Sequence, residues 1–435
     1  MEQHGENPKQ KVIVIIPARY SSTRLPGKLL LDLAGKPLII RTLEQAKKAK
    51  SVGRVIVAAD DDRIIQAVVG AGGEAVMTSL DHASGSDRIA EVARLLPHDS
   101  IVVNVQGDEP LIAPETIDAV VEALVSDPDS EMATSCEVLR SSVDIFNPNI
   151  VKVVSGPSGH ALYFSRSPIP FPRDAALEHS NDLSAAIENR PDLTNIFRKH
   201  TGIYAYRRDF LLRFTELPQT PLEKIEMLEQ LRALEHGARI KVVETAAGSI
   251  GVDTQQDLDR ARQILKAQSV RLREALPGDV SSIANVHVES WRRSFEGIAP
   301  DEYLKNLSVE KREKVFAGRL AENGYRLLAA ESDEDGIIGF IDFGKPEFEN
   351  FGYAGRIYSF YLLPEYQRRG VGTRLFRRCL DELRKEGYRS VCLDTLEMSP
   401  YRAFYEKSGG RVVARDKHNL GDKEFATIIY GWDEI

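Results

Sequence analysis

Pro17-Ala18-Arg19-Tyr20-Ser21-Ser22-Thr23-Arg24-Leu25-Pro26-Gly27-Lys28 follows directly on the apolar run Val12-Ile13-Val14-Ile15-Ile16. Such a run predicts a strand buried on both faces, and open α/β sheets bind ligands beyond the carboxyl ends of their strands. The loop sets Arg19, Arg24 and Lys28 at that position. Together they can neutralise much of a triphosphate, and Ser22 can add a hydrogen bond to a phosphate oxygen. The Walker spacing is missing, so this is not a P-loop. An isolated basic turn is more often merely solvated. This one gains its meaning from two acids further along.

Those acids are Asp108, in Val103-Asn104-Val105-Gln106-Gly107-Asp108-Glu109-Pro110, and Asp253, in Gly251-Val252-Asp253-Thr254. Nucleotidyl transfer needs a divalent cation to screen phosphate charge, and one or two carboxylates plus phosphate oxygens are the usual Mg²⁺ ligands. A single Asp at a strand end is more often a turn or cap residue. Two of them in the same half of the chain as the cationic loop favour the metal reading.

Strand-like runs at 11–17, 54–59, 74–78 and 100–106 alternate with helix-like stretches around 38–49, 61–69, 87–96 and 115–125. That alternation predicts a mostly parallel, helix-covered sheet. Gly70-Ala71-Gly72-Gly73 follows a helix rather than a strand, so it reads as a helix end, not a dinucleotide loop. The middle of the chain is richer in β, with strands at 151–154 and 161–165. The polar stretch 173–199 reads as a mobile excursion, a lid or a plain surface insertion, with little helical signal outside 183–187. A helix over 221–235 is expected to bury Ile225, Leu228 and Leu231. Near 267–270 the organisation changes, which sets a boundary between domains 1–268 and 269–435.

At 435 residues the chain can build two or three cores, and its 42% hydrophobic and 28% charged content is ordinary for globular proteins. A net charge of −8 without a long basic stripe argues against nucleic acid as a partner. Cys136, Cys379 and Cys392 show neither disulfide nor zinc spacing, which suits buried thiols in a reducing compartment. The polar start of the chain has no signal-peptide core and no apolar run reaches membrane-spanning length. A cytoplasmic enzyme with no membrane partner is the expectation.

The second unit carries its own phosphate-binding signature. A strand over 356–363 leads into Gln367-Arg368-Arg369-Gly370-Val371-Gly372 and then an amphipathic helix. Glycines there let backbone N–H groups approach a pyrophosphate, with a helix N-terminus behind them. A second short helix-like segment, Ser399-Pro400-Tyr401-Arg402-Ala403-Phe404-Tyr405, follows.

Eight segments, IPARYSSTRLPGK, DHASGSDRIAE, VNVQGDEP, FNPNIVKVV, ALYFSRSPIP, HTGIYAYR, PLEKIEMLEQLR and GVDTQQDL, resemble in order the 3-deoxy-manno-octulosonate (Kdo) cytidylyltransferase family across residues 11–265. The resemblance implies a Rossmann-like nucleotidyltransferase fold with a β-rich insertion, and a homodimer. It implies activation of the sugar acid by CTP with Mg²⁺, for lipopolysaccharide synthesis. It assigns Arg19, Ser22, Arg24 and Lys28 to the nucleotide phosphates, and Ser84, Arg88 and Gln106 to the neighbourhood of nucleotide and sugar. Asp108 and Asp253 are assigned to the metal and, with Lys28, to catalysis. Arg166, Arg173, His200, Tyr204, Glu229 and Gln230 are assigned to the sugar acid, where guanidinium groups suit a carboxylate. A related acid, such as an amino-substituted one, is the alternative substrate.

Residues 270–435 resemble the GNAT acetyltransferase superfamily, an α/β fold. This implies acetyl-CoA held by its pyrophosphate at Gln367, Arg368, Arg369, Gly370, Val371 and Gly372, with the pantetheine arm along 360–363, Leu362 included. Tyr405 matches a common proton donor to the departing thiolate. Ser399 stands where the family usually has Asn. The stretches Ser290-Trp291-Arg292 and Ile298-Ala299-Pro300 are expected to meet the amine acceptor, which the sequence does not name. A non-catalytic acyl-CoA sensor or a dimerisation module is the alternative for this unit.

Overall fold

The computed structural model describes residues 11–22, 24–246, 250–346 and 351–435, so the polar N-terminal run 1–10 and Thr23 of the cationic loop lie outside it. Contacts divide the chain into two compact units, Met1–Ala261 and Arg262–Ile435. The division falls inside the helix Gln255–Ser269, a few residues before the boundary read from the sequence.

The described residues of the first unit form nine strands: β1 (Val12–Ala18), β2 (Arg54–Ala59), β3 (Glu74–Met77), β4 (Ile101–Asn104), β5 (Met132–Val138), β6 (Lys152–Ser155), β7 (Ala161–Ser165), β8 (Arg198–Arg207) and β9 (Ile240–Glu244). Their order is β3-β2-β1-β4-β8-β5-β9, with β6 and β7 paired at the side. The first four strands are parallel, as their alternation with helices requires. The rest of the sheet is mixed, because β8 runs antiparallel to both β4 and β5. All seven residues of β1 are buried, which a central strand covered by helices on both sides explains. Because β1 pairs in parallel with β4, Ala18 and Asn104 end at the same edge, and the loops after them face one crevice.

Two sequence expectations are corrected. The stretch 173–199 is folded into the helices Arg173–Leu177 and Leu183–Asn189 and a 3₁₀ segment Pro191–Ile196. These close on a small core of their own, where Leu183, Ile187, Leu193 and Phe197 pack against Leu139 and Ile145. The helix expected over 221–235 is two pieces, Pro221–Glu226 and Gln230–Glu235, broken at Met227 with φ 52°. The left-handed residue rotates the first piece, so Ile225 is 77% exposed while Leu228 and Leu231 stay buried.

The second unit holds β10 (Arg271–Glu274), β11 (Tyr325–Ser332), β12 (Gly336–Gly344), β13 (Gly355–Leu362), β14 (Val391–Leu396), β15 (Arg411–Leu420) and β16 (Lys423–Trp432) in the order β10-β11-β12-β13-β14-β16-β15. One sheet face packs the helix Val371–Lys385 through Leu375, Phe376 and Cys379. The other packs the helices Val280–Ser294 and Val309–Leu320 through Ile283, Ala284 and Phe316. Cys136, Cys379 and Cys392 are buried thiols, as the sequence suggested.

Candidate functional site

In the first unit, Lys28 Nζ donates to Asp108 Oδ2 at 2.5 Å and to Asp253 Oδ1 at 2.8 Å. Arg24 lies 2.9 Å from the other Asp253 oxygen. Three segments separated by up to 225 residues thus meet on one ammonium group. Two backbone features enforce the meeting. Val252 N–H donates to the carbonyl of Asp108 at 2.9 Å, which clips the Asp253 loop to the Asp108 loop. Gly107 lies so close to β1 that a Cβ there would sit 2.9 Å from the Pro17 carbonyl, so any side chain would push the Asp108 turn away from the cationic loop.

The Lys28 ammonium is 13% exposed. Burial lowers its pKa, yet the two carboxylates outweigh that and hold it above the usual lysine value. Two carboxylates converging on one point form an all-oxygen donor set, which suits a hard divalent cation completed by substrate phosphates. Among the described residues no cluster of three or more acidic, histidine or cysteine ligands exists, so such an ion would depend on those phosphates.

The cationic loop is held from beneath. Arg88 is fully buried; its guanidinium donates to Thr78 Oγ1 at 2.5 Å and pairs with Asp60 at 3.0 Å. Asp60 in turn accepts from the backbone N–H of Tyr20 at 2.9 Å, and Arg63 stacks 3.4 Å over the Tyr20 ring. Asp60 and Arg63 were missed in the sequence. The acid triplet Asp60-Asp61-Asp62 at the end of β2, next to β1, was the available signal. Arg19 reaches the carbonyl of His82 at 2.6 Å, and Ser22 is half-buried in the same loop. Gln106 bonds Asn104 Oδ1 at 3.3 Å and lies beside Gly85. Ser84 caps the helix Gly85–Ala93 in a capping box with Asp87, so its hydroxyl already has a structural task.

The residues assigned to the sugar acid divide into two groups. His200, Tyr204 and Glu229 gather above the sheet. His200 meets Thr134 Oγ1 at 3.1 Å and packs against Phe164 and Tyr204. Burial drives its pKa down to about 3, so it meets any ligand as a neutral imidazole. Burial also raises Glu229, whose Oε2 accepts from Ser86 at 2.8 Å while Oε1 is buried without a hydrogen-bond partner, 4.0 Å from Arg232. Gln230, next in the chain, is buried. Two arginines stand apart from this group. The guanidinium of Arg166 is taken up by the carbonyls of Glu226, Pro148 and Met227, which braces the helix break at Met227. Arg173, on the helical excursion, pairs with its neighbour Asp174 at 3.7 Å and is largely exposed.

In the second unit β13 and β14 are parallel but pair only at Gly355↔Val391 and Arg356↔Cys392. Past those positions they separate, and a cavity of about 770 Å³ opens, lined by β13 from Arg356 to Leu362 and by β14 from Leu393 to Leu396. Gln367, Arg368, Gly370 and Gly372 form one wall. Arg368 and Gly370 have φ of 57° and 80°, and Gly370 immediately precedes the helix Val371–Lys385. The turn therefore presents helix N-terminal N–H groups to the cavity, the geometry that receives a pyrophosphate. Gln367 Nε2 ties the turn to the Leu362 carbonyl at 2.8 Å. The Arg369 side chain bonds Gln263 at 2.6 Å instead of lining the cavity.

Tyr405, on the short helix Arg402–Lys407, lines the cavity, and burial raises its pKa so that the phenol keeps its proton. Ser399 lines it too. Of the stretches expected to meet the acceptor, Ser290 and Trp291 face the cavity, with Trp291 Nε1 bonded to Tyr361 at 2.7 Å. Arg292 turns instead to the carbonyls of Leu304 and Leu307, and residues 298–300 do not line it.

Comparison with known proteins identifies the families of both units. The sequence profile described as Cytidylyltransferase matches residues 13–240, and that of the Acetyltransferase (GNAT) family matches 285–410. A 3-deoxy-manno-octulosonate cytidylyltransferase from Geobacter sulfurreducens is 51% identical over 255 residues, which is 59% of this chain and 99% of that one. The protein of the same name from Trichlorobacter lovleyi is 50% identical over 256 residues, again 59% of this chain and 99% of that one. A solved structure of a CMP:2-keto-3-deoxy-manno-octonic acid synthetase complexed with CTP is 42% identical, has a TM-score of 0.53, and covers 59% of this chain and 99% of its own. With Lys28, Asp108 and Asp253 joined as the fold joins them, the chain belongs to the 3-deoxy-manno-octulosonate cytidylyltransferase family, and it continues into a GNAT-family acetyltransferase domain.

Proposed function

We propose that the first unit joins CTP to Kdo, giving CMP-Kdo and pyrophosphate, and that this activated sugar serves lipopolysaccharide synthesis in the cytoplasm. The observation that carries this reading is the meeting of Lys28, Asp108 and Asp253 beside Arg24 at the carboxyl edge of β1 and β4. Arg19, Arg24 and Lys28 bind the phosphates of CTP. Asp108 and Asp253 would hold Mg²⁺, which supplies screening of phosphate charge and a lowered pKa for a nearby hydroxyl. The anomeric hydroxyl of the sugar then gives up its proton to solvent and bonds to the α-phosphorus, the α–β phosphate bond breaks, and pyrophosphate leaves with its charge met by the loop's cations. Placement in line supplies much of the rate. His200, Tyr204, Glu229 and Gln230 orient the sugar acid as neutral or hydrogen-bonding groups; Arg166 supports the wall behind them. We read the protein as a homodimer through this unit, with the functional boundary at 268/269.

The second unit transfers acetyl from acetyl-CoA to an amine in a direct ternary complex. The amine nitrogen bonds to the carbonyl carbon and the C–S bond breaks. Tyr405 protonates the departing thiolate and is reprotonated, through solvent, by the proton the amine releases. Cys379 and Cys392 are buried in the core with raised pKa values, so a cysteine-linked intermediate is disfavoured.

The deciding experiment is pyrophosphate release from CTP, Kdo and Mg²⁺, with the product weighed by mass spectrometry. CMP-Kdo is expected. Rapid turnover of another sugar acid without that product would overturn the assignment. Calorimetry with acetyl-CoA tests the second unit in the same preparation.

A further inference from the structure

We propose that the amine acceptor of the second unit carries an anionic oxyacid group, a carboxylate foremost, and that Arg312 holds it. This rests on the acetyltransferase reading and names the acceptor's chemical class. Four arginines line the cavity between β13 and β14: Arg312, Arg319, Arg356 and, in the turn before the helix Val371–Lys385, Arg368. Arg356 is paired with Asp394, and Arg319 reaches the buried Asp342 at 3.3 Å. Arg312, half-buried on the helix Val309–Leu320, has no side-chain hydrogen bond or ion pair with any described residue. Asp394 is the one acid among the described residues lining the cavity, and it is already neutralised. A purely cationic acceptor would find no counter-charge here, whereas an acid would complete the site.

The phosphates of CoA are not the anion in question. They belong at the turn before the helix Val371–Lys385, on the sheet face where Phe360 packs with Phe376. Arg312 lies on the opposite face, in the neighbourhood of His287 and Tyr361, whose side chains pack together with ring centroids 4.9 Å apart. The cavity thus passes through the parted strands, with donor on one side and acceptor on the other.

Two further polar atoms stand without partners on the acceptor side. His287 Nδ1 and Ser290 Oγ are buried, unbonded and one helical turn apart, and both residues line the cavity. Buried polar groups in native structures are nearly always bonded, so an orphan pair facing one space calls for a polar ligand. Burial, aided by Arg312, holds the His287 pKa down at about 3, so it stays neutral and can share a hydrogen bond with the acceptor. The same positive field favours the uncharged form of an incoming amine, the form that attacks.

The test is acetyl-CoA-dependent thiol release by the full chain on three matched amines: glucosamine, glucosaminate and glucosamine 6-phosphate. At least one acidic amine is expected to exceed glucosamine by tenfold or more in kcat/KM, and the comparison of the two separates carboxylate from phosphate. Arg312→Met should abolish that preference through KM while leaving acetyl-CoA affinity unchanged, and Arg312→Lys should restore part of it. Equal use of glucosamine, a preference that survives in Arg312→Met, or bound acetyl-CoA with neither acidic amine acetylated would each overturn the inference. Failure to bind acetyl-CoA at all would instead overturn the acetyltransferase reading beneath it.

Discussion

Among the described residues Lys28 is the cation that touches both Asp108 and Asp253, at 2.5 and 2.8 Å, and replacing it by methionine leaves the two carboxylates facing each other with Arg24, 2.9 Å from Asp253, as the remaining counter-charge. Opposite charges 4 Å apart attract by about 1 kcal/mol in water and about 4 kcal/mol at an effective dielectric of 20. With Asp108 27% and Asp253 38% exposed, the lower half of that range applies, about 1–2 kcal/mol per contact. Because the folded-state pKa of Lys28 is raised, its contribution is fully present below the unfolded lysine value of about 10.4 and is lost only as pH rises through the folded value. The ion pairs therefore persist across any ordinary assay pH. Two opposite effects follow. Without nucleotide, Lys28 competes with a divalent cation for the same oxygens, so Lys28→Met should bind Mn²⁺ more tightly, by about tenfold for each 1.4 kcal/mol relieved. Turnover should fall by about 10²–10³, the loss typical of one electrostatic contact to developing phosphate charge. Calorimetry with Mn²⁺ and continuous pyrophosphate release measure the two quantities on one preparation. Unchanged Mn²⁺ affinity together with kcat within fivefold of the parent would refute both the metal site and the catalytic lysine.

Asp108→Asn and Asp253→Asn should each reduce CMP-sugar formation by about 10²–10³ at limiting Mg²⁺, and near-normal rates in either folded variant would remove that residue from the metal site. Arg88→Met should leave Asp60 buried without its partner and lower stability by about 3–5 kcal/mol, a melting shift of about 6–20 °C by calorimetry; a shift under 2 °C would show the Arg88–Asp60 pair to be incidental. Gly370→Val should weaken acetyl-CoA binding at least tenfold on the calorimeter, because a φ of 80° disfavours a β-branched residue and the phosphates need the space a side chain would take. Tyr405→Phe should leave acetyl-CoA binding intact and slow transfer by about 10²–10⁴, and an unchanged rate would remove the acid role. A chain ending at Ser269 keeps the whole helix Gln255–Ser269 and should still release pyrophosphate.

The strand runs, their alternation with helices and the cationic loop were legible because burial imposes a hydrophobic signature that needs no partner to be read. The pairing of Asp253 with Asp108 was favoured by their shared half of the chain with the cationic loop and assigned by the resemblance; what joins them, Lys28 Nζ and a backbone bond from Val252, has no sequence signature. What escaped were directions. Arg88 and Arg166 read as ligand-facing cations, yet one is buried against Asp60 and the other bonds three carbonyls. A guanidinium has five donors and no sequence signal for where they point. Ile225 was misplaced because helical spacing assumes an unbroken helix, and nothing local marks Met227 as left-handed. The excursion 173–199 looked unstructured because its helices are short and polar outside; their apolar residues find partners in Leu139 and Ile145, far away in sequence.

The two sites use parallel strands in opposite ways. β1 and β4 pair in parallel as far as Ile15 and Asn104, so the loops that follow them open on one crevice and can share charges across it. β13 and β14 part after two paired positions, although β13 keeps β12 and β14 keeps β16 on their outer edges. The facing edges beyond Arg356 and Cys392 therefore carry N–H and C=O groups with no strand opposite. Backbone groups so placed require either water or a ligand that offers amides in extended order. On the acetyltransferase reading proposed for the second unit, an acyl-pantetheine arm would supply two amides along such a line, with its pyrophosphate at the turn before Gly370. On that reading the parting of two strands, more than any one side chain, makes the place for acyl-CoA.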